Sequence, residues 1–317
     1  MSVYRSNLPQ LSDDIFLTDG GIETTLIFHY GLDLPHFAAF DLFKDETGRD
    51  ALRRYFRSYL TVANENGIGI VLETATWRAS ADWGDKLGYS STELAEANRQ
   101  SVALLDALRT ESSGTAPVVI SGCIGPRGDG YDPSDVMTST EAERYHRTQI
   151  QTFADTRADM VTAITMTNIP EAIGLTRAAQ AVGIPAVISY TVETDGRLPT
   201  GETLQEGIEQ VDAATENGPA YFMINCAHPT HFSHVLETDA PWVTRLQGLR
   251  ANASAKSHAE LDEAEELDEG DPHVLGGEYA ALRNKLPNLA VLGGCCGTDH
   301  RHIAAITTAC RKGQAVA

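Results

Sequence analysis

The sequence predicts an α/β protein of the (β/α)8 barrel (TIM barrel) class, in which residues 1–317 form a single domain. Short apolar runs alternate with amphipathic helical patterns eight times along the chain, and eight such units match the roughly 250–300 residues that this fold needs. The runs are near-continuously apolar, which is typical of parallel strands covered by helices. These two observations favour a closed barrel over an open sheet.

The first unit starts with an apolar run at residues 15–18 that ends in Asp19-Gly20-Gly21, so we expect a strand leading into a polar loop. Residues 48–66 then carry apolar side chains at i, i+3, i+4 spacing, which predicts a helix ending near Gly67. The same criteria predict seven further strands, at residues 68–72, 117–120, 160–164, 184–189, 221–224, 242–249 and 289–292. The other predicted helices cover residues 91–111, 139–157, 170–182, 203–217, 230–237, 274–286 and 299–312.

The barrel topology indicates which residues form a site. Active sites of this fold lie at the carboxyl ends of the strands, so the polar residues that follow each apolar run are the candidates. They come after the first, second, sixth and eighth runs. The candidates are Asp19, Gly20, Gly21, Glu23, Glu73, Thr74, Trp77, Asn225, Cys226, Cys295 and Cys296.

The adjacent pair Cys295-Cys296 is flanked by glycines that let the backbone turn, so that both thiolates point at one place. Cys226 follows the sixth run, on the same rim of the barrel. Three thiolates suit a zinc ion and leave its fourth position open, as in catalytic zinc sites. The alternative is that these cysteines are small buried residues at strand ends.

The net charge, the length of the apolar runs and the number of cysteines argue against several classes of function. The net charge of −20 excludes nucleic acid as an expected partner, because binding to it depends on lysine and arginine. No apolar run is long enough to span a membrane, and the polar start is unlike a signal peptide. Five cysteines are too few for a disulfide scaffold. We therefore expect a cytoplasmic protein that acts on small molecules, and the sequence leaves a homo-oligomer open.

At these motifs the sequence resembles the homocysteine S-methyltransferase family of zinc barrels, which includes betaine-homocysteine and S-methylmethionine-homocysteine methyltransferases. The resemblance implies that Cys226, Cys295 and Cys296 hold zinc, and that Asp19 and Thr74 hold the amino acid acceptor. It covers nearly the whole chain. Its carriers are Asp19-Gly20-Gly21, residues 74–80, Gly122-Cys123-Ile124-Gly125-Pro126, Asn225-Cys226 and Gly293-Gly294-Cys295-Cys296-Gly297.

The implied reaction is methyl transfer from an onium donor, such as S-methylmethionine or betaine, to a zinc-bound thiolate, with homocysteine giving methionine. A free thiol is mostly protonated at neutral pH, whereas a zinc-bound thiol is deprotonated. The partners would be a small thiol acceptor and a methyl donor, and Zn²⁺ the cofactor. The alternatives are a different small thiol or a zinc hydrolase on the same barrel.

One position departs from the family. A glutamate near the end of the fourth strand helps to bind the acceptor's amino group in that family, and Ile164 stands there in this sequence. Either Glu23 or Glu73 replaces it, or the acceptor is a thiol that lacks the amino group.

Several other residues are open to two interpretations. Trp77, Trp83 and Tyr89 follow the second strand and either contact a cationic donor or simply pack. His228, His231 and His234 are expected at the surface or behind the site, and Cys123 and Cys310 are not expected to bind metal. An acidic excursion around residues 253–272 has eight acidic residues between 260 and 271, and we expect a charged surface loop rather than a lid.

Overall fold

The computed structural model describes residues 2–12, 14–112, 114–236, 239–264 and 266–312. The predicted end of the sixth helix at Glu237, and Glu265 in the acidic segment, lie outside the described residues. None of the described helices is long and apolar enough to cross a membrane. The cytoplasmic location, the single domain and the oligomeric state stay predictions.

Eight parallel strands form a closed barrel in which each strand pairs with its neighbours in sequence and the first pairs with the last. This confirms the predicted (β/α)8 class. The strands are β1 Phe16–Thr18, β2 Gly69–Glu73, β3 Val118–Ile124, β4 Met160–Met166, β5 Ala186–Tyr190, β6 Phe222–Asn225, β7 Leu246–Ala251 and β8 Val291–Gly294. The helices that follow them are α1 Glu46–Asn66, α2 Ser91–Glu111, α3 Ser139–Ala154, α4 Ile169–Val182, α5 Leu204–Thr215, α6 Pro229–Phe232, α7 Pro272–Lys285 and α8 His300–Lys312.

Three predicted boundaries differ from the structure by four residues or more. The strand predicted at residues 117–120 continues to Ile124, so Gly122 and Cys123 lie in β3 rather than after it. The strand predicted at 242–249 starts only at Leu246, because a proline at the first position of Pro241–Arg245 favours a 3₁₀ helix there. The helix predicted from residue 230 is shorter: α6 ends at Phe232 and a 3₁₀ turn follows it.

Capping groups define where several helices begin. Ser90 caps α2, and its side chain and the backbone N–H of Glu93 form one half of a capping box whose other half is the Glu93 carboxylate. Thr138 and Thr203 start α3 and α5 in the same way. These side chains satisfy backbone N–H groups that the first turn of each helix leaves without a partner.

The barrel interior changes from apolar to polar along its axis. A buried apolar cluster fills the amino-terminal half and includes Phe16, Val71, Val119, Met160, Val187, Met223 and Val291. Side chains two residues apart on a strand point to the same face, so residues two positions further along the strands form the next interior layer. This layer is polar. It contains Glu73, Ser121, Thr162, Ser189, Asn225 and Arg250, all buried. The apolar layer thus supports a polar floor directly beneath the carboxyl-terminal rim.

Candidate active site

A cavity of about 160 Å³ opens at the carboxyl-terminal rim, above the polar floor. It brings together ten of the eleven residues singled out from the sequence. The exception, Asn225, lies just beneath the cavity wall. The ten that line the cavity are Asp19, Gly20, Gly21, Glu23, Glu73, Thr74, Trp77, Cys226, Cys295 and Cys296.

Three cysteine sulfurs meet on one side of this cavity. The Sγ atoms of Cys226, Cys295 and Cys296 all lie within 4.8 Å of one another. Cys226 comes directly after β6, and Cys295 and Cys296 come directly after β8, so the closed barrel brings a sequence separation of 69 residues down to a Cα–Cα distance of 5.4 Å. Cys226 and Cys295 form a disulfide, and Cys296 is a free thiol.

An asparagine beneath the sulfurs holds the backbone around them. The Oδ1 atom of Asn225 accepts a hydrogen bond from the Thr165 backbone N–H at 2.9 Å, and its Nδ2 donates to Thr165 Oγ1 at 2.9 Å. The same Nδ2 lies 3.9 Å from Cys295 Sγ. Asn225 therefore supports the site instead of facing the cavity.

Two residues at this point adopt a strained backbone. Thr165, with φ of 66°, and Cys226, with φ of 53°, are both in the left-handed region, which is rare for side chains other than glycine and costs on the order of 1–3 kcal/mol at each position. The Thr165 hydroxyl donates towards Cys226 Sγ at 3.9 Å. The surrounding structure thus keeps the Cys226 side chain in a fixed orientation.

Two glycines let the first loop approach the cysteines. A Cβ atom at Gly21 would lie 2.5 Å from the carbonyl oxygen of Cys295, and one at Gly20 would lie 2.6 Å from the Tyr59 hydroxyl. The Gly21 N–H also donates to the Thr298 carbonyl at 3.0 Å. Any side chain here would push the cysteine loop away, which explains the glycines on physical grounds.

A buried ion pair forms part of the cavity floor. Arg250 Nη1 donates to Asp19 Oδ1 at 2.8 Å, and the Tyr55 hydroxyl donates to Asp19 Oδ2 at 3.0 Å. The other guanidinium nitrogens donate to the carbonyls of Gly20 at 3.1 Å and Gly294 at 3.2 Å. Burial lowers the pKa of Arg250, but the Asp19 and Glu73 carboxylates more than offset this and raise it above its ordinary value.

Arg250 follows the seventh predicted strand on the same rim, but the sequence alone indicates no role for it. The signal that could have found it is its position in β7: it lies two residues beyond Gly248 in a strand whose pattern is buried throughout its carboxyl-terminal half. A charged side chain in that register must face the barrel interior and needs a buried partner there.

Two carboxyl groups in the cavity resist ionisation. Burial raises the pKa of Glu73 to about 7, against the favourable effect of Arg250, and burial raises the pKa of Glu23 to about 7 as well. The Oε2 atom of Glu73 is buried and, within the described part of the chain, has no hydrogen-bond partner. A positively charged ligand would stabilise the ionised form of both groups, so each of them can bind such a ligand.

A model of the family described as homocysteine S-methyltransferase matches residues 16–310 of the chain. The chain belongs to the homocysteine S-methyltransferase family. It is 24% identical to Homocysteine S-methyltransferase 4 of Zea mays, over 94% of this chain and 90% of that protein. It is 23% identical to Homocysteine S-methyltransferase 1 of Brassica oleracea var. italica, over 92% of each protein.

The fold is shared with a solved structure, the homocysteine methyltransferase MmuM from Escherichia coli. Its oxidized form has a TM-score of 0.74 at 19% identity and covers 95% of this chain and 97% of MmuM. Its metallated form has a TM-score of 0.71 at 18% identity and covers 96% and 98%. The chain is thus a homocysteine S-methyltransferase-like enzyme on a (β/α)8 barrel.

In this homocysteine S-methyltransferase family member, one of the three aromatic residues after β2 borders the cavity. The Trp77 indole N–H donates to the carbonyl of Ile164 at 3.1 Å, and both residues line the cavity. Trp83 is packed between Arg78 and Lys86, whose cationic groups lie 3.7 and 3.8 Å from its ring centre. Tyr89 lies outside the cavity, where it donates to Asp41 at 2.8 Å.

One residue of the acidic excursion packs against the site, whereas Glu260, Asp262 and Glu263 are exposed, as expected for a charged surface loop. His258 is buried, its Nε2 lies 2.7 Å from the Cys226 carbonyl, and its ring stacks on Tyr131 at 4.1 Å. The Tyr131 hydroxyl lies 3.8 Å from Cys296 Sγ, and Asp262 lines the cavity. Further along, Glu266 is exposed, as expected.

The other candidate ligands lie elsewhere. His228 Nε2 is 3.3 Å from Glu278, and His231 Nε2 is 2.9 Å from the carbonyl of Ala255. Within the part of the chain that the structure describes, no cluster of three potential metal ligands includes either histidine. Cys123 borders the cavity but lies outside the sulfur cluster, and Cys310 is buried in α8.

Proposed function

We propose that this enzyme is a zinc-dependent S-methyltransferase that moves a methyl group from an onium donor to the thiolate of homocysteine, giving methionine. The observation that carries the proposal is the convergence of three cysteine sulfurs on one side of the rim cavity. Membership of the homocysteine S-methyltransferase family supports it independently and favours methyl transfer over the zinc hydrolase alternative.

The residues present fit zinc. Three thiol groups are a preferred donor set for this metal, and sulfurs within 4.8 Å of one another are comparable in spacing with thiolates bound to a single zinc ion at about 2.3 Å each. Cys226, Cys295 and Cys296 would hold it once the Cys226–Cys295 disulfide is reduced. When bound, zinc keeps an attached thiol in its nucleophilic thiolate form at neutral pH.

The protein's own residues bind and orient the acceptor. Its amino group needs an anionic partner in a partly dry cavity, and Ile164 supplies none. Glu73 has a buried oxygen without a hydrogen bond, and Glu23 borders the same cavity, so either carboxyl can ionise and bind the ammonium group. The cavity walls also hold the reactants close together, which is the main contribution of a protein to an in-line methyl transfer.

Ile164 supports a second candidate. Because an apolar side chain lines the cavity where the family resemblance places a glutamate, the acceptor is in this alternative a mercapto acid that lacks the amino group. The methyl donor and the zinc site would be the same. The two candidates differ only in what the cavity offers to the acceptor's α-substituent.

A screen of donor and thiol pairs, with product detection by mass spectrometry, tests the proposal. Zinc-loaded, reduced enzyme should form methionine from homocysteine with S-methylmethionine or betaine as donor. Glu73→Gln or Glu23→Gln should weaken the binding of homocysteine about 10- to 100-fold. Preference for 4-mercaptobutyrate, reversed by Ile164→Glu, would select the second candidate. No transfer to any thiol from any onium donor would refute the proposed function.

A further inference from the structure

An arginine in the cavity wall has no binding or catalytic role in the site described above. Arg78 lies in the loop after β2, lines the cavity and is only 6% exposed. Its guanidinium carbon lies 4.1 Å from the ring centre of Trp77 and 3.7 Å from that of Trp83. The two indole rings hold the guanidinium group in place.

The hydrogen-bonding capacity of Arg78 is only partly used. Nη1 donates to the Gly128 carbonyl at 2.9 Å and Nη2 to Asp129 Oδ2 at 3.1 Å, and the Asp129 side chain is half exposed. The Nε atom is buried and has no hydrogen-bond partner among the residues that the structure describes. A ligand oxygen that accepts a hydrogen bond from this N–H would complete the set.

The other buried arginine of the cavity shows the contrast. Arg250 directs nitrogens to a fully buried carboxylate and to two backbone carbonyls. Arg78 has a solvated carboxylate instead, and the second acid in its electrostatic range is Glu23, whose pKa burial raises to about 7. Its positive charge is therefore less completely balanced by the protein than that of Arg250.

We propose that Arg78 binds the carboxylate group of a substrate. Nε and a neighbouring Nη of a guanidinium present parallel donors that match the two oxygens of a carboxylate. The cavity also holds Glu23 and Glu73, which suit a positive charge, so it complements a zwitterion. The inference rests on the proposed function in one respect: the carboxylate belongs either to the thiol acceptor or to the methyl donor.

Binding measurements that need no turnover test this inference. Two of the three tryptophans in the chain flank Arg78, so tryptophan fluorescence reports on a ligand there. One arm compares the product methionine with 3-(methylthio)propylamine, which lacks only the carboxylate. The other arm compares betaine with tetramethylammonium, which lacks the donor's carboxylate.

In one arm, Arg78→Gln should weaken the binding of the ligand that carries the carboxylate by about 10- to 100-fold. The affinity for its carboxylate-free partner should change by no more than about twofold. Loss in the methionine arm assigns the carboxylate to the acceptor, and loss in the betaine arm assigns it to the donor. Arg78→Lys, which keeps the charge but not the paired donors, should weaken the same ligand by less. Arg127→Gln is the control, because Arg127 pairs with Asp82 at 2.7 Å and does not line the cavity.

Equal losses for a ligand and its carboxylate-free partner in both arms would overturn the inference. So would a wild-type enzyme that binds both members of each pair equally, which is decided without any variant. Methionine binding through Arg78 in a protein without methyl-transfer activity would instead refute the proposed function alone. An active enzyme with the same Michaelis constants for substrates with and without a carboxylate would refute only the role of Arg78.

Discussion

Replacing Arg250 by methionine tests whether the buried ion pair supports the cavity floor. Methionine keeps much of the side-chain length but removes the charge, so Asp19 stays buried without its partner. The substitution also removes the donors to the carbonyls of Gly20 and Gly294. The only remaining side-chain donor to Asp19 among the hydrogen bonds of the described residues is the Tyr55 hydroxyl.

The expected loss follows from burial. Arg250 and Asp19 are 4% and 1% exposed, and removing one partner of a buried pair costs about 3–5 kcal/mol. With an unfolding entropy of about 2.1 cal/mol/K per residue over 317 residues, this lowers the melting temperature by roughly 4–8 °C. Arg57→Met is the matched control, because Arg57 makes an ion pair of the same 2.8 Å length with Glu111 but both side chains are 57% exposed. It should cost less than about 1 kcal/mol.

Thermal unfolding followed by circular dichroism, on reduced and metal-free proteins, measures both changes without a contribution from zinc. Adding Asp19→Asn to Arg250→Met should cost less than the sum of the two single substitutions, because the double variant leaves no buried charge unpaired. A melting temperature of Arg250→Met no lower than that of Arg57→Met would refute the argument. Strict additivity with Asp19→Asn would show that the two residues are not coupled.

Three further predictions concern the metal, the acids and the donor. Purified enzyme should hold about one zinc per chain, and Cys226→Ala or Cys296→Ala should lose it while Cys310→Ala keeps it, as measured by metal analysis; zinc retention in both site variants would contradict the assignment. Folding raises the pKa of Glu73 from 4.5 to about 7, so between these two pH values the folded state binds more protons than the unfolded state. Glu73 therefore destabilises the metal-free protein as the pH rises through this range. The free energy of unfolding of Glu73→Gln, measured with denaturant, should therefore rise by about 2–3 kcal/mol relative to that of the wild type between pH 5 and 8. A difference between the two proteins that does not change with pH would argue against the raised pKa. In an Arg78→Gln background, which removes the effect of losing the indole that stacks on Arg78, Trp77→Ala should raise the donor's Michaelis constant more than the thiol's, whereas equal changes would indicate a packing role.

The sequence by itself determined the fold class and the position of the sulfur cluster. Parallel strands buried on both faces must be apolar along most of their length, so their number and order are visible in the pattern of apolar runs. Closure of a barrel brings all strand ends to one rim, so the sequence places Cys226 on the same rim as Cys295 and Cys296, and there their sulfurs meet. These conclusions depend only on local periodicity and on the topology that it implies.

Only the tertiary structure decided the partners and the ionisation of the groups around the cavity. Arg250 and Asp19 are separated by 231 positions, and His258 reaches the Cys226 carbonyl from a segment whose acidic composition indicated a solvated loop. The raised pKa of Glu73 depends on how completely the folded chain removes water from it. Such effects arise from desolvation and contact between residues that are distant in sequence, and local patterns carry no information about which of them will meet.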